Sequence, residues 1–435
     1  MAIIPQQMLF SWEKDVDQLG DLERLQLVFE TLPDEPLMRV LEKERGKGRD
    51  DYPIRAMWHT YLSCLLLIHR SDASMLRELT RNVQLRYLCG YTSLLEVPKS
   101  HNYSRFKKTL LRHKKDVKEI FAELSRLLYE EIPDFGKATA LDSKNIDSFA
   151  SRENKNKTRD GRRDLDAQWG KKVYKGIGKD GKPWEKVTKC FGYKVHLLVD
   201  SDYELPIHYQ VTPANTPDVN QGYDMLHQLD NTKSRYILER MDYMTADKAY
   251  DSVDFQNLVR EKEITPIIDT RKMWRVETEK EVPGYPNVYY NESGEVFCYS
   301  PIKGTRHCMA NDGYEKKRKC LRKKCPAQAY GISCGEQEHC SVRGVVRIPL
   351  QTDERIFTEV DRSSYKWKRL YSARTSVERV NSRLDFQLGF EQHTIRGLEK
   401  MDLEVCCALI CMNTLALGRH RQNRDDLMRS LTKTG

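Results

Sequence analysis

The amino-acid sequence predicts an α/β protein with a helical N-terminal part and a cysteine-rich insertion. Three observations carry this. Apolar residues recur at helical spacing up to about residue 130. From about 137 they fall in short, β-branched runs bounded by Gly, Pro, Asp and Asn. Half of the twelve cysteines crowd between residues 298 and 340, in a stretch that separates two parts of the α/β pattern.

The elements follow in order. In PIRAMWHTYLSCLLLIHR, the residues Met57, Tyr61, Cys64, Leu65 and Ile68 form one helical stripe behind Pro53 in a first-turn position. Ser71 or Asp72 can cap DASMLRELTRN, and Ser104 or its neighbours can open RFKKTLLRHKKDVKEIFAELSRLLYEEI. ATALDSKNI, CFGYKVHLLVD and LPIHYQVTP read as strands, DVNQGYDMLHQL as a helix, YMTADKAY as a strand end, SVDFQNLVREKE as a helix and ITPIIDT as another strand. Residues 151–186 are dense in Lys, Arg and Gly with few apolar anchors, and read as a mobile loop. Trp169 in it either stacks on a base or plugs the core. MDLEVCCALICMNTLAL is an apolar helix expected beside the helix of Glu378, its Cys406, Cys407 and Cys411 acting as small core residues. The resulting division is 1–130 helical, 137–271 first part of the core, 272–350 insertion, 351–418 second part of the core, and 419–435 a polar tail that frays.

A chain of 435 residues suggests two or three domains, and 39% hydrophobic residues suffice for buried cores. A net charge of +9 favours a polyanionic partner. No run of eighteen or more apolar residues predicts a membrane span. The start MAIIPQQMLFSWEKD lacks the pattern of a secretory signal. The reading is a cytoplasmic, nucleoid-associated protein with reduced thiols.

Three acidic residues stand in settings suited to metal ligation: Asp142 in ATALDSKNID, Asp247 in YMTADKAYD and Glu378 in YSARTSVERVNSRL. Hard divalent cations such as Mg²⁺ take oxygen ligands. Two such ions about 3.5–4 Å apart can serve both the attacking and the leaving oxygen at phosphorus. Among 64 acidic residues a random trio is solvated surface, so the flanking residues carry the specificity. On a helix, Tyr371, Arg374 and Glu378 fall on one face, bringing phenol, guanidinium and carboxylate together. Arg374 can then fork onto phosphate, the alternative being a surface Arg–Glu pair.

LDSKNID, FGYKVHLLVD, VTPANTPDV, TADKAYDS and YSARTSVERVNSRL, in that order, resemble the DDE transposases of bacterial insertion sequences over roughly residues 45–415. The last segment resembles the Tyr-Arg-Glu-Lys signature of that group, with Asp385 where the final basic residue would stand and Arg383 close by. The resemblance implies a ribonuclease H-like mixed sheet flanked by helices, with the insertion before the last catalytic helix. It implies Asp142, Asp247 and Glu378 as catalytic ligands of two Mg²⁺ (or Mn²⁺) ions. Tyr371, Arg374, Arg379, Arg383, Lys248 and Lys194 are the expected phosphate or DNA contacts. His196, two residues from Lys194 on the same strand face, is a strand residue near the site. Asp164 and Asp166 lie in the basic loop, not on the ordered elements that a rigid metal site needs.

The activity implied is cleavage at transposon ends and transfer of the exposed 3′-OH into target DNA. No nucleotide cofactor is needed, and a homodimer or larger synaptic complex would act on double-stranded DNA. Loop 151–186 would order on DNA, and Arg105, Lys107, Lys108, Arg112, Lys114 and Lys115 would contact phosphates, unless they form a solvated helix face. In the insertion, Cys320, Cys325, Cys334 and Cys340 make a structural Zn²⁺ site one reading and free cysteines the other, because no tight CxxC pair is present. Two alternatives stand beside the main reading: a metal-dependent nuclease of the same fold without strand transfer, and a non-catalytic DNA-binding relic.

Overall fold

The computed structural model describes residues 19–46, 52–150, 163–177, 182–231, 233–275, 278–300, 304–332, 334, 340, 342 and 344–432. The chain start and residues 151–162 and 178–181 of the basic loop lie outside the described residues.

Among the described residues, seven α-helices come first: α1 (Glu23–Thr31), α2 (Glu35–Arg45), α3 (Ile54–Leu66), α4 (Asp72–Arg81), α5 (Val83–Cys89), α6 (Ser100–Arg112) and α7 (Lys114–Glu131). Ser71 caps α4, its hydroxyl accepting the Ser74 N–H at 3.2 Å. α6 opens at Ser100, four residues before the expected start, and the Ser104 hydroxyl donates to the Ser100 carbonyl inside the helix.

The sheet follows: β1 (Ala138–Asp147), β2 (Gln168–Ile177), β3 (Pro183–Asp200), β4 (Pro206–Pro213), α8 (Asp218–Asp230), α9 (Tyr236–Arg240), β5 (Tyr243–Ala246), α10 (Val253–Glu261) and β6 (Thr265–Ile268). Its spatial order is β4-β3-β1-β5-β6, with β2 on the N-terminal half of β3. β4, β3 and β1 pair antiparallel, while β1, β5 and β6 run parallel. This is the mixed sheet of a ribonuclease H-like fold that the resemblance implies. It also corrects the loop expectation in part, since residues 168–177 and 183–186 are strand.

The insertion builds two small antiparallel sheets: β7 (Glu279–Val282), β8 (Tyr285–Asn291), β9 (Val296–Tyr299) and β10 (Arg306–Cys308), then β11 (Ala310–Glu315), β12 (Cys320–Lys324), α11 (Pro326–Tyr330) and β13 (Val345–Pro349). They share a core of their own around Val288, Tyr290, Val346 and Ile348, which reaches on to Ile356 and Phe357. α12 (Tyr365–Ser372), α13 (Thr375–Ser382) and α14 (Leu398–Arg421) complete the fold.

A single apolar core runs from Leu22 to Leu431, so the N-terminal helices and the sheet are packed together. α14 is its spine. By length and composition it could cross a membrane, with mean hydropathy 1.5, yet 94% of that window is buried inside the protein. Its main neighbours are α7, α1 and β4, not the helix of Glu378 as the sequence suggested. The buried Asn413 donates to the Pro206 carbonyl at 2.9 Å and fastens α14 to β4. The tail after α14 is also anchored as far as it is described: Met428 and Leu431 are buried, and Arg24 donates to the Leu431 carbonyl at 2.9 Å.

Candidate active site

β1 and β5 are neighbouring parallel strands in the register Leu141↔Ala246, so Asp142 and Asp247 are the next residues side by side. Asp142 is still within β1. Asp247 directly follows β5 and caps a 3-10 turn, Lys248–Tyr250, by accepting the Ala249 N–H at 2.6 Å. Arg271 holds that turn from outside, donating Nε to the Lys248 carbonyl at 2.5 Å and Nη2 to that of Ala249.

Side chains alternate across a strand, so Asp142 and Lys144 face one side of the sheet and Ser143 and Asn145 the other. α12 and α13 lie on the Asp142 side. The helix expected through Tyr371 and Glu378 is two helices, joined at Ala373 and Arg374, both in right-handed helical conformation. From that joint Arg374 Nη1 reaches Asp142 Oδ2 at 3.4 Å, and Nη2 donates to Glu378 Oε1 at 2.6 Å. Burial lowers the Arg374 pKa, but Glu378 and Asp142 outweigh it, so the guanidinium is held more firmly charged than usual. Tyr371 stacks on Trp367 with ring centroids 4.7 Å apart. Burial first, then the charge of Asp269, pushes its hydroxyl up to about 12, with Asp247 adding to the rise and Arg374 opposing it. Tyr371 therefore keeps its proton at neutral pH. Beneath the site lies the buried Tyr250, whose hydroxyl burial and the charges of Asp218, Asp142 and Asp247 keep protonated.

Thus Asp142, Asp247, Glu378, Tyr371 and Arg374 are brought together, with the exposed Lys248 beside Asp247. The other expected contacts are not. Lys194 lies on the opposite face of the sheet, donating to Asp218 Oδ1 and the Thr216 carbonyl, both at 2.8 Å. Ser143 donates to the same Asp218 oxygen at 2.8 Å. Burial opposes ionisation of Asp218, but Lys194 and Ser143 hold its carboxyl below the ordinary value. His196 is fully buried on that face with Nε2 at 3.0 Å from Thr212 Oγ1. Arg379 Nε donates to Glu204 at 2.7 Å, while Arg383 is buried between the Glu204 and Arg429 carbonyls. Both arginines fasten α13 to the β3–β4 turn. At the departure from the family signature, Asp385 pairs with Lys144 from β1, so a cation does approach that position, from a strand that sequence reasoning did not connect to it.

On α6 and α7, Lys107, Arg112 and Lys114 are paired with Asp72, Glu44 and Glu399, whereas Arg105, Lys108 and Lys115 are exposed. Asp164 is a structural tie, accepting Ser148 Oγ at 2.6 Å and the Gly397 N–H at 3.1 Å.

Among the described residues, no three His, Cys, Asp or Glu side chains form a ready ligand set. In the catalytic region Arg374 stands in for a cation, its charge shared between Asp142 and Glu378. An all-oxygen carboxylate set with a cation lodged in it fits hard divalent ions. In the insertion Cys320 is set apart from the other predicted ligands, its thiol donating to the Arg318 carbonyl at 3.1 Å. The thiol that neighbours Cys325, Cys334 and Cys340 is Cys298 on β9, pushed up to about 12 by burial and by those three. Cys340 Sγ also accepts from Asn287 on the adjoining strand at 3.5 Å.

The sheet order, antiparallel from β4 to β1 and parallel from β1 to β6, is that of the ribonuclease H-like class of folds. The chain belongs to the DDE transposase family: residues 134–414 match the family described as Transposase DDE domain, and residues 11–109 match Transposase domain (DUF772). It is thus an enzyme of DNA transposition, from a family that generally uses divalent metal ions. No individually curated protein matches the chain. Among solved structures it is similar to a piggyBac transposase synaptic complex with hairpin DNA, at 11% identity and a TM-score of 0.39, covering 96% of this chain and 80% of that one. That likeness is too distant to bear on the site.

Proposed function

We propose that Asp142, Asp247 and Glu378 are the catalytic carboxylates of a transposase that cuts at transposon ends and transfers the freed 3′-OH into target DNA. The observation that carries this reading is the bridge of Arg374 between Asp142 and Glu378, with Asp142 and Asp247 each following directly on the paired residues Leu141 and Ala246. Divalent ions, Mg²⁺ or Mn²⁺, would supply Lewis-acid activation of the attacking and leaving oxygens there. Asp142 and Asp247, fixed by strand register and by the capped turn, would hold them, and Glu378 would close the set from α13. Arg374, released from its two carboxylates, can turn its fork to a phosphate. Tyr371 keeps a proton to donate to the same phosphate, and Lys248 adds charge at the rim. Glu204, gripped by Arg379 and Arg383, positions α13 and so Glu378. Joining two element ends calls for at least two copies of the chain on double-stranded DNA.

The test is purified protein with supercoiled plasmid carrying the ends of its own element and Mg²⁺. Cleavage at the ends with joined products supports the reading. Cleavage without joining assigns a nuclease, and binding with neither reaction assigns a DNA-binding relic.

For the insertion we propose that a structural Zn²⁺ draws in Cys298, Cys325, Cys334 and Cys340, four thiolates being a closed tetrahedral set. Metal analysis of protein purified under reducing conditions should give about one zinc per chain. Cys298→Ser should lose it and Cys320→Ser retain it. Zinc kept by Cys298→Ser, or absent from the unmodified protein, contradicts the assignment.

A further inference from the structure

β2 and the N-terminal part of β3 leave the sheet as a two-stranded ribbon. They pair from Gln168↔Gly192 to Ile177↔Pro183, yet β4 joins β3 from Tyr193 onward. Residues 183–189 are all exposed and 190–200 all buried. At about 3.3 Å per residue, the exposed part reaches roughly 23 Å beyond the sheet. Its root is clamped: a Cβ at Gly192 would meet the Ile146 carbonyl at 2.1 Å, and one at Gly170 the Ala214 carbonyl at 2.6 Å.

Burial does not explain this ribbon. Val173 and Val187 face each other, each 42% exposed, and Trp184 near the far end is 47% exposed. On the same face as the two valines, Lys171 stands directly opposite Lys189. A two-stranded hairpin alone is marginal in water, and like charges across a pair weaken it further. Lys171, Lys186 and Lys189 are exposed and take no ion pair among the described residues. Such a ribbon gains from a polyanion laid on it. A second copy of this chain, at net charge +9, is the poorer electrostatic match.

We propose that the ribbon is a contact arm for duplex DNA, with Lys171, Lys186 and Lys189 on phosphates and the two valines against the groove, Trp184 lying on the opposite face of the ribbon. A two-stranded ribbon fits the B-DNA major groove, about 12 Å wide. The arm departs beside Asp147, at the end of β1 beyond Asp142, so DNA held on it runs past the end of the sheet that carries the carboxylates. This rests on the family's action on DNA. Binding is the readout and needs no competent carboxylates, so a failure of the arm is separable from a failure of the cleavage reading.

The experiment measures affinity of the full chain for a labelled duplex of one element end, from 50 to 300 mM KCl, with sedimentation and thermal melting as controls. In K171A/K186A/K189A the slope of log affinity against log salt should fall by about 2.7, roughly 0.9 per lost phosphate contact. Melting and self-association should not change. If the triple variant melts early, the single variants Lys171→Ala and Lys189→Ala serve, each expected to lower the slope by about 0.9. An unchanged slope overturns the proposal. So does loss of self-association with the slope intact, which would make the ribbon a contact between protein copies.

Discussion

Arg374 stands between Asp142 and Glu378, 3.4 Å from one carboxylate and 2.6 Å from the other. One guanidinium thereby ties a strand residue to a helix residue 236 positions later and keeps two like charges together. Its position makes it both a competitor for incoming cations and a ready phosphate ligand. Arg374→Ala should slow end cleavage by about 10²–10³, the usual loss for one transition-state donor. The metal concentration giving half-maximal cleavage should at the same time fall or hold steady, because a bound positive charge has been removed. A rise in that concentration would show that Arg374 supports the metal site instead of competing with it.

The insertion is fastened to the core through Asp251. This buried carboxylate accepts Arg355 Nη1 at 2.8 Å and the Arg271 N–H at 2.7 Å, and Arg271 in turn holds the turn that Asp247 caps. Arg355 also pairs with Glu292 of the insertion. Removing one member of a buried pair leaves an uncompensated charge, so Arg355→Ala should cost about 3–5 kcal/mol. Denaturant unfolding measures this, and the double variant Asp251→Asn/Arg355→Met should be less destabilised than Arg355→Ala.

Burial works to raise the Asp164 pKa, but hydrogen bonds from Ser148, Tyr193 and the Gly397 and Ala167 amides outweigh it and hold the carboxyl below its ordinary value. The folded value lies below the unfolded one, so the unfolded chain takes up the proton first as pH falls. The stabilisation is therefore complete above the ordinary aspartate value of about 3.9 and is lost as pH drops through the folded value. Asp164→Asn should be less stable than the unmodified protein at pH 7, with the gap closing below about pH 4. A gap independent of pH would mean that ionisation of Asp164 does not contribute.

How much of this was legible in the sequence depends on how local each signal is. Asp142, Asp247 and Glu378 were picked out by the family-like motifs around them, while strand ends and helical spacing placed each of them, with Tyr371 and Arg374, in a short segment. Lys194 was misjudged as a phosphate contact because a strand pattern gives alternation but not which face meets which helix; Asp218 on the far face claims it. Arg379 and Arg383 find Glu204 in a turn 175 and 179 residues away, and nothing near them in the chain announces that partner. Cys298 is not singled out by spacing because it is packing between the two small sheets that brings β9 toward Cys325 and Cys340. α14 was read correctly as a core helix, but its neighbours were not, since an almost uniformly buried helix has no outer face to orient it.

Whether the three carboxylates perform the chemistry is decided by single-turnover cleavage of an end-bearing duplex by Asp142→Asn, Asp247→Asn and Glu378→Gln at saturating protein. Each variant should still bind the duplex within a few-fold of the unmodified protein, and cleavage should fall by more than about 10³ in all three, a barrier increase of about 4 kcal/mol. Cleavage within about tenfold of the unmodified rate in any one of them, at equal occupancy, would contradict that residue's place in the site.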